Sequence, residues 1–133
     1  MARSLLLMFA AFAAAICPVL AAEPQTLQLG GQFGYLGEWE LSAEVTAQPP
    51  AARREYAGVL TMKHVGVCAV DGPEEKTGQI RLRMVTSSRV RATLMLDGRE
   101  CTYQGALTAA HIGAMECADA PDRQGTPISL WMK

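Results

Sequence analysis

Residues 80–103 read IRLRMVTSSRVRATLMLDGRECTY, and they give the clearest indication of the fold. Apolar and polar residues alternate with a period of two on both sides of each turn, as in antiparallel strands with one buried face. The pair Asp97-Gly98 is a strong signal for a two-residue hairpin. It predicts that Leu94 lies opposite Cys101, so that both side chains face the core.

A looser turn at residues 86–88 joins this hairpin to the strand before it. To keep the apolar faces together, Leu82 must lie near Ala92, and Ile80 near Leu94, because a slip of one residue would turn one face outward. Residues 80–103 are therefore predicted to form a three-stranded meander.

The same alternation occurs at residues 39–45, 60–64 and 128–132, and no segment has a helical period. In the last of these, Ile128, Leu130 and Met132 are expected on one side. A total of about seven or eight short strands is typical of small all-β folds. The sequence predicts a single-domain antiparallel meander that closes as a small β-barrel, with a β-sandwich as the alternative.

The chain begins like an exported protein. Arg3 precedes an apolar run at residues 5–16, and small residues end the segment at Ala21 and Ala22. This pattern is typical of a secretory signal peptide. We expect a signal peptide at residues 1–22, one β domain at 23–133, and export to the periplasm or the medium.

Cys17 raises the alternative of a lipid-anchored protein. Bulky Ile16 directly before it and Pro18 directly after it differ from a bacterial lipoprotein signal, so cleavage without acylation is favoured.

Charge and hydropathy limit the classes of partner that the chain is expected to bind. The net charge is -1 for the whole chain and becomes -2 when the predicted signal, with Arg3 and no acid, is removed. A near-neutral chain does not favour binding of nucleic acid through bulk electrostatics. No later segment approaches the ~18 apolar residues of a membrane-spanning helix, so the mature chain is predicted to lack a transmembrane segment.

Three cysteines remain after the predicted signal, and an oxidising compartment favours one disulfide among them. If the turn after Tyr103 is centred near Ala109, Cys101 falls opposite Cys117. These two are the favoured pair, and Cys68 is the alternative partner for either.

No catalytic, metal or cofactor motif is found in the sequence. The histidines are His64, on the apolar face of a strand, and His111, in an expected turn; neither has the spacing of a zinc site. We therefore predict a protein that is not an enzyme and that needs no cofactor or metal.

Arginines are the most distinctive polar residues. The meander places four of them outward on one hairpin, with Arg83 almost opposite Arg91, and like charges opposite one another destabilise a sheet. Ion pairs with Glu38, Glu40 and Glu44, or simple solvation, would account for them; the functional hypothesis is a docking patch for an anionic partner. The predicted patch consists of Arg81, Arg83, Arg89 and Arg91.

The segment Gly37-Glu38-Trp39-Glu40-Leu41-Ser42 resembles the first strand of the calycins, including the lipocalins, and of small bacterial periplasmic inhibitors of secreted metalloproteases. The resemblance implies an eight-stranded barrel that Trp39 closes at one end, and an inhibitory arm at residues 23–27. The chain departs from the inhibitors because no cysteine follows shortly after Ser42.

Together these features predict an exported, non-enzymatic binding protein that acts on a protein or on an anionic component of the cell envelope, with inhibition of a hydrolase as one version. The alternative is a carrier of a small apolar ligand, because the small inward residues Ala92, Gly105 and Gly113 could leave a cavity in the barrel.

Overall fold

The computed structural model describes residues 25–65, 72, 74–118 and 125–133. The predicted signal peptide, Cys17 and Cys68 lie outside these residues. The described chain forms eight strands: β1 (Thr26–Phe33), β2 (Trp39–Gln48), β3 (Glu55–His64), β4 (Glu75–Met84), β5 (Arg89–Leu96), β6 (Arg99–Ala106), β7 (Gly113–Cys117) and β8 (Thr126–Met132). A single 3₁₀ turn, Ala51–Arg53, precedes β3.

These strands form a closed antiparallel barrel in which each strand pairs with its neighbours in the chain. Closure comes from β1, which pairs with both β2 and β8; Gly31, for example, is the register partner of Leu41 on one side and of Leu130 on the other. The predicted all-β meander barrel is confirmed. A sandwich would have left β1 and β8 as separate edges.

The register of the central strands is the one that the sequence predicts. Leu94 is paired with Cys101 across the Asp97-Gly98 hairpin, and Ala92 is paired with Leu82 across the looser turn. Leu94 is fully buried. The hairpin therefore fixes the inward face of β5, and β4 and β6 follow it.

Alternate residues of all eight strands fill the interior of the barrel. Each large aliphatic side chain buried in this way contributes about 1.5–3 kcal/mol to stability. The most deeply buried large side chains are Tyr103, Leu29, Leu41, Leu60, Ile80, Leu82, Leu94, Met115, Ile128, Leu130, Val45 and Val90.

Strand β8 follows its predicted alternation only in part. Ile128 and Leu130 are each 1% exposed, whereas Met132, which was expected on the same side, is 47% exposed. Met132 is the last residue of β8.

The ring of Tyr103 occupies the space beside two inward glycines. A Cβ atom added at Gly105 would lie 2.6 Å from the Tyr103 hydroxyl oxygen, and one added at Gly113 would lie 2.6 Å from Cε2 of the ring. The hydroxyl donates a hydrogen bond to the carbonyl oxygen of Ala106, at 2.8 Å. Burial raises the pKa of this phenol, and the charge of Arg89 opposes the rise.

Strand β7 is the shortest strand of the barrel wall described here. It has three register pairs with β6 and three with β8. Cys101 and Cys117 are direct register partners, and a disulfide joins them. The predicted pairing of these two cysteines is confirmed, and the bond ties β7 to the hairpin that sets the register.

Replacing both bridging cysteines by alanine should lower the free energy of unfolding by about 2–4 kcal/mol, because the unfolded chain loses its cross-link. Alanine is chosen because Cys101 is only 1% exposed and a serine there would bury a hydroxyl. Urea unfolding followed by tryptophan fluorescence measures the change. The matched control is Cys68→Ala; an equal loss in that variant, or no loss in the double variant, would contradict the prediction.

Gly113→Ala should cost about 1–3 kcal/mol, the usual penalty for overpacking a core. Its new methyl group would collide with the Tyr103 ring. In a Tyr103→Leu background the same substitution should cost clearly less, and a double-mutant cycle measured by urea unfolding gives the coupling. Equal costs in the two backgrounds would show that the ring is not the obstacle.

Candidate functional site

Four arginines cover the outside of strands β4 and β5, and we call them the arginine face. Arg81 and Arg83 lie on β4, Arg89 and Arg91 lie on β5, and all four are exposed. Arg83 and Arg91 are direct register partners. Directly opposed residues of an antiparallel pair have Cβ atoms about 5 Å apart, so these two guanidinium groups can contact one anionic group together.

The arginine face has no acidic partners within the described chain. The glutamates at residues 38–44 do not form the predicted ion pairs, because β3 separates β2 from β4 in the barrel. Glu55 of β3 is the register partner of Arg83. Even so, both ion pairs found among the described residues belong to Lys76. The positive charge of the face is therefore left to solvent or to a partner.

Two further arginines, which were not among the predicted site residues, lie beside this face. Arg53 and Arg54 belong to the proline-containing connection between β2 and β3, and both are exposed. The amide of Met84, at the end of β4, donates a hydrogen bond of 3.1 Å to the carbonyl oxygen of Arg54. In an up-and-down meander the β2–β3 and β4–β5 turns lie at the same end of the barrel. From this rule one could have predicted that Arg53 and Arg54 lie near the arginines of β4 and β5.

The other end of the barrel is predominantly acidic. The β1–β2 turn, the chain just before β4 and the β5–β6 hairpin all lie there, because they alternate with the turns at the basic end. The barrel is consequently basic at one end and acidic at the other. Its acidic end carries Glu38, Glu74, Glu75 and Asp97.

Trp39 lies at the acidic end, where the resemblance to calycins implied a closing aromatic. Its ring is stacked on Phe33, with centroids 5.8 Å apart, and meets His64 edge-on at 4.7 Å. The ammonium group of Lys76 lies 5.5 Å from the centre of the Trp39 ring. Lys76 and Ile80 lie an even number of residues apart on β4, so the alternation of the strand places both on its inward face. This position could have been predicted from the sequence.

Salt bridges hold Lys76 over the tryptophan. Its Nζ atom lies 3.2 Å from Oδ2 of Asp97 and 3.3 Å from Oε1 of Glu74. The hydrogen bond to Asp97, followed by that to Glu74, raises the pKa of Lys76 above its ordinary value. Both pairs are exposed, so they position the side chain more than they stabilise the fold.

A cavity of about 430 Å³ opens at this end of the barrel beside Trp39. Met62 and Met115 line it, together with the disulfide between Cys101 and Cys117. Deeper in the barrel, the ring of Tyr103 lies against Gly105 and Gly113, two of the three small residues that the carrier alternative depends on.

A wider groove of about 660 Å³ runs along the outside of strands β3 to β6. Val59 and Met95 form apolar parts of it, and Arg81 links it to the arginine face. Val59 is 61% exposed. The groove adjoins the arginine face at Arg81, but it is lined mainly by other side chains, among them Glu100, and is not part of that face.

The histidines lie apart from each other. His64 packs against Trp39, and His111 is exposed in the turn after β6. No group of three or more histidine, cysteine, aspartate or glutamate side chains with metal-site geometry occurs in the part of the chain that the structure describes.

The segment expected to act as an inhibitory arm, residues 23–27, is partly built into the barrel wall. Thr26 and Leu27 belong to β1 and are paired with Thr46 and Val45 of β2. Residues 23 and 24 lie outside the described chain.

Comparison with protein-family models, with curated proteins and with solved structures finds no match for this chain. Within the described ranges, no helix is long and apolar enough to cross a membrane.

Asp97→Asn should lower the pKa of Lys76 toward its ordinary value, because it removes the carboxylate whose hydrogen bond raises this pKa most. Glu74→Gln should lower it less. A raised pKa in the folded state stabilises the protein below the ordinary lysine pKa, and this contribution is lost as pH rises through the raised value. Titration of the Lys76 ammonium by NMR measures the shift; an unchanged pKa in Asp97→Asn would contradict the assigned contact.

Proposed function

We propose that this chain is an exported, non-enzymatic binding protein whose arginine face binds an anionic partner. The observation that carries the proposal is the direct pairing of Arg83 with Arg91, on an exposed surface where no acidic side chain of the described chain forms an ion pair with either.

The repulsion between Arg83 and Arg91 favours a role for these two residues beyond solubility. Like charges directly opposite in a sheet destabilise it by a few tenths of a kcal/mol or more, and arginines elsewhere on the strands would avoid that cost. A carboxylate, sulfate or phosphate bound between the two guanidinium groups removes the repulsion and gains charge-assisted hydrogen bonds. The repulsion in the free protein therefore strengthens binding of an anion.

Two features support export. The segment at residues 1–22 has the order of a signal peptide, and the Cys101–Cys117 disulfide is of a kind that persists in oxidising compartments. An exported protein meets anionic groups on other secreted proteins and on the cell envelope, and both are candidate partners.

The carrier alternative has less support than the binding surface. The ring of Tyr103 lies beside Gly105 and Gly113, the positions where an internal ligand would need space. The cavity at the acidic end is open, and Lys76 and Asp97 are among its lining residues. A binding function on the outer surface of the barrel, in contrast, uses the exposed arginines of β4 and β5.

The proposal predicts salt-sensitive binding to immobilised heparin, a polyanion that contains no lipid. The double variant Arg83→Glu/Arg91→Glu should bind at least about tenfold more weakly than the native protein, because two attractive contacts become repulsive. Affinity is measured at one fixed salt concentration, since such binding depends steeply on salt.

The matched control is Lys63→Glu/Arg99→Glu, which makes the same change in net charge at exposed positions toward the acidic end. It should bind nearly as well as the native protein. Equal weakening in the two variants would mean that overall charge governs binding and that the arginine face has no special role. Unchanged binding by the first variant would also overturn the proposal.

A further inference from the structure

We infer that the basic end of the barrel, formed by the turns at residues 49–54 and 85–88, docks on an anionic lipid surface. This inference rests on the proposed function and names the partner of the arginine face. Binding by charge alone would need only the arginines. Docking on a lipid surface also uses apolar side chains at the tips of the turns, which enter the lipid interface.

The two turns are neighbours at one end of the barrel. Glu55, which follows the first turn, is the register partner of Arg83, which precedes the second. The hydrogen bond from the Met84 amide to the Arg54 carbonyl oxygen ties the first turn to the end of β4. The tips of both turns therefore face the same direction.

Both tips expose apolar side chains. Val85 begins the second turn and is 57% exposed. In the first turn the 3₁₀ segment has no buried residue, and its apolar members and the prolines before it are all exposed: Pro49, Pro50, Ala51 and Ala52. Exposed apolar groups at adjoining tips are costly in water and are typical of surfaces that meet a partner or a membrane.

Arginines surround these apolar tips. Arg53 and Arg54 lie in the first turn, Arg89 immediately follows the second, and the Arg83–Arg91 pair lies close behind. Glu55 is the carboxylate among them, and it is half-buried. Apolar groups that enter the headgroup region, with cations at the level of the phosphates, are the usual elements of interfacial binding.

The separation of charge along the barrel favours a lipid surface over an acidic protein. An extended anionic surface attracts the basic end and repels the acidic end. It therefore favours the orientation in which the apolar turn tips point toward the membrane. An acidic protein could satisfy the arginines on the flank of β4 and β5 while leaving Val85 and residues 49–52 in water.

Sedimentation with vesicles tests the inference. The probes are vesicles of phosphatidylcholine alone and vesicles of phosphatidylcholine mixed with phosphatidylglycerol, at one salt concentration. The native protein should bind the mixed vesicles and leave the neutral ones. Each basic residue near such a surface contributes roughly a fivefold increase in partitioning, so Arg53→Glu/Arg54→Glu and Arg83→Glu/Arg91→Glu should each weaken binding by at least about tenfold.

A pair of valine variants separates insertion from simple charge attraction. Val85→Ser should weaken binding to the mixed vesicles severalfold and leave heparin binding unchanged. Val59→Ser makes the same chemical change at a similarly exposed position in the middle of the barrel, and it should change neither. Equal loss in both valine variants, or no loss in Val85→Ser, would overturn docking through the turns.

The remaining outcomes distinguish this inference from the proposed function. Binding to heparin with no binding to mixed vesicles would overturn the lipid surface and leave the anion-binding function standing, with an acidic protein as the partner to seek. Failure to bind either probe would overturn both. Full vesicle binding by Arg53→Glu/Arg54→Glu would remove the first turn from the site and overturn the inference in its stated form.

Discussion

The disulfide between Cys101 and Cys117 is the constraint on which the closed barrel depends most. Strand β7 is short, and its three register pairs on each side bring few backbone hydrogen bonds. Without β7, strands β6 and β8 would become edge strands with unpaired backbone groups, whereas a closed barrel has no edge strands. The covalent bond fixes β7 to the partner strand whose register is already set by the Asp97-Gly98 hairpin.

A closed and largely filled barrel limits where function can lie. Inward positions are occupied by core side chains, and Tyr103 takes the space left by Gly105 and Gly113. The proposed binding function accordingly uses the outward side chains and one end of the barrel. The two ends differ: one has Trp39 packed beneath Lys76, and the other has arginines around exposed apolar turns.

The meander topology produces this difference between the ends. Every second connection of an up-and-down barrel lies at the same end, so residues far apart in sequence are brought together without any direct pairing. The connection at residues 49–54 and the turn at 85–88 share one end in this way. Charges that look dispersed along a near-neutral chain are sorted by the fold into a basic end and an acidic end.

From the sequence one could predict most of the strands and the register of the central hairpins, and Cys101–Cys117 was the favoured cysteine pair, with Cys68 as the alternative partner. These features follow from local constraints: a period of two fixes which side chains share a face, and a two-residue turn fixes which residues lie opposite. Leu94 opposite Cys101 required only such short-range reasoning, whereas Cys101 opposite Cys117 also required the assumption of a turn centred near Ala109. Outward arginines on β4 and β5 follow from the same alternation.

The closed barrel established which distant groups meet. Barrel closure places Lys76 over Trp39, lays Tyr103 against Gly113, and brings Arg53 and Arg54 beside the arginine face. It also leaves Met132 exposed at the end of the last strand. The pattern of a strand states which face is inward, but it does not state where along the barrel axis a residue will lie or what will cover it. Those positions depend on the way all eight strands close together, which no single segment encodes.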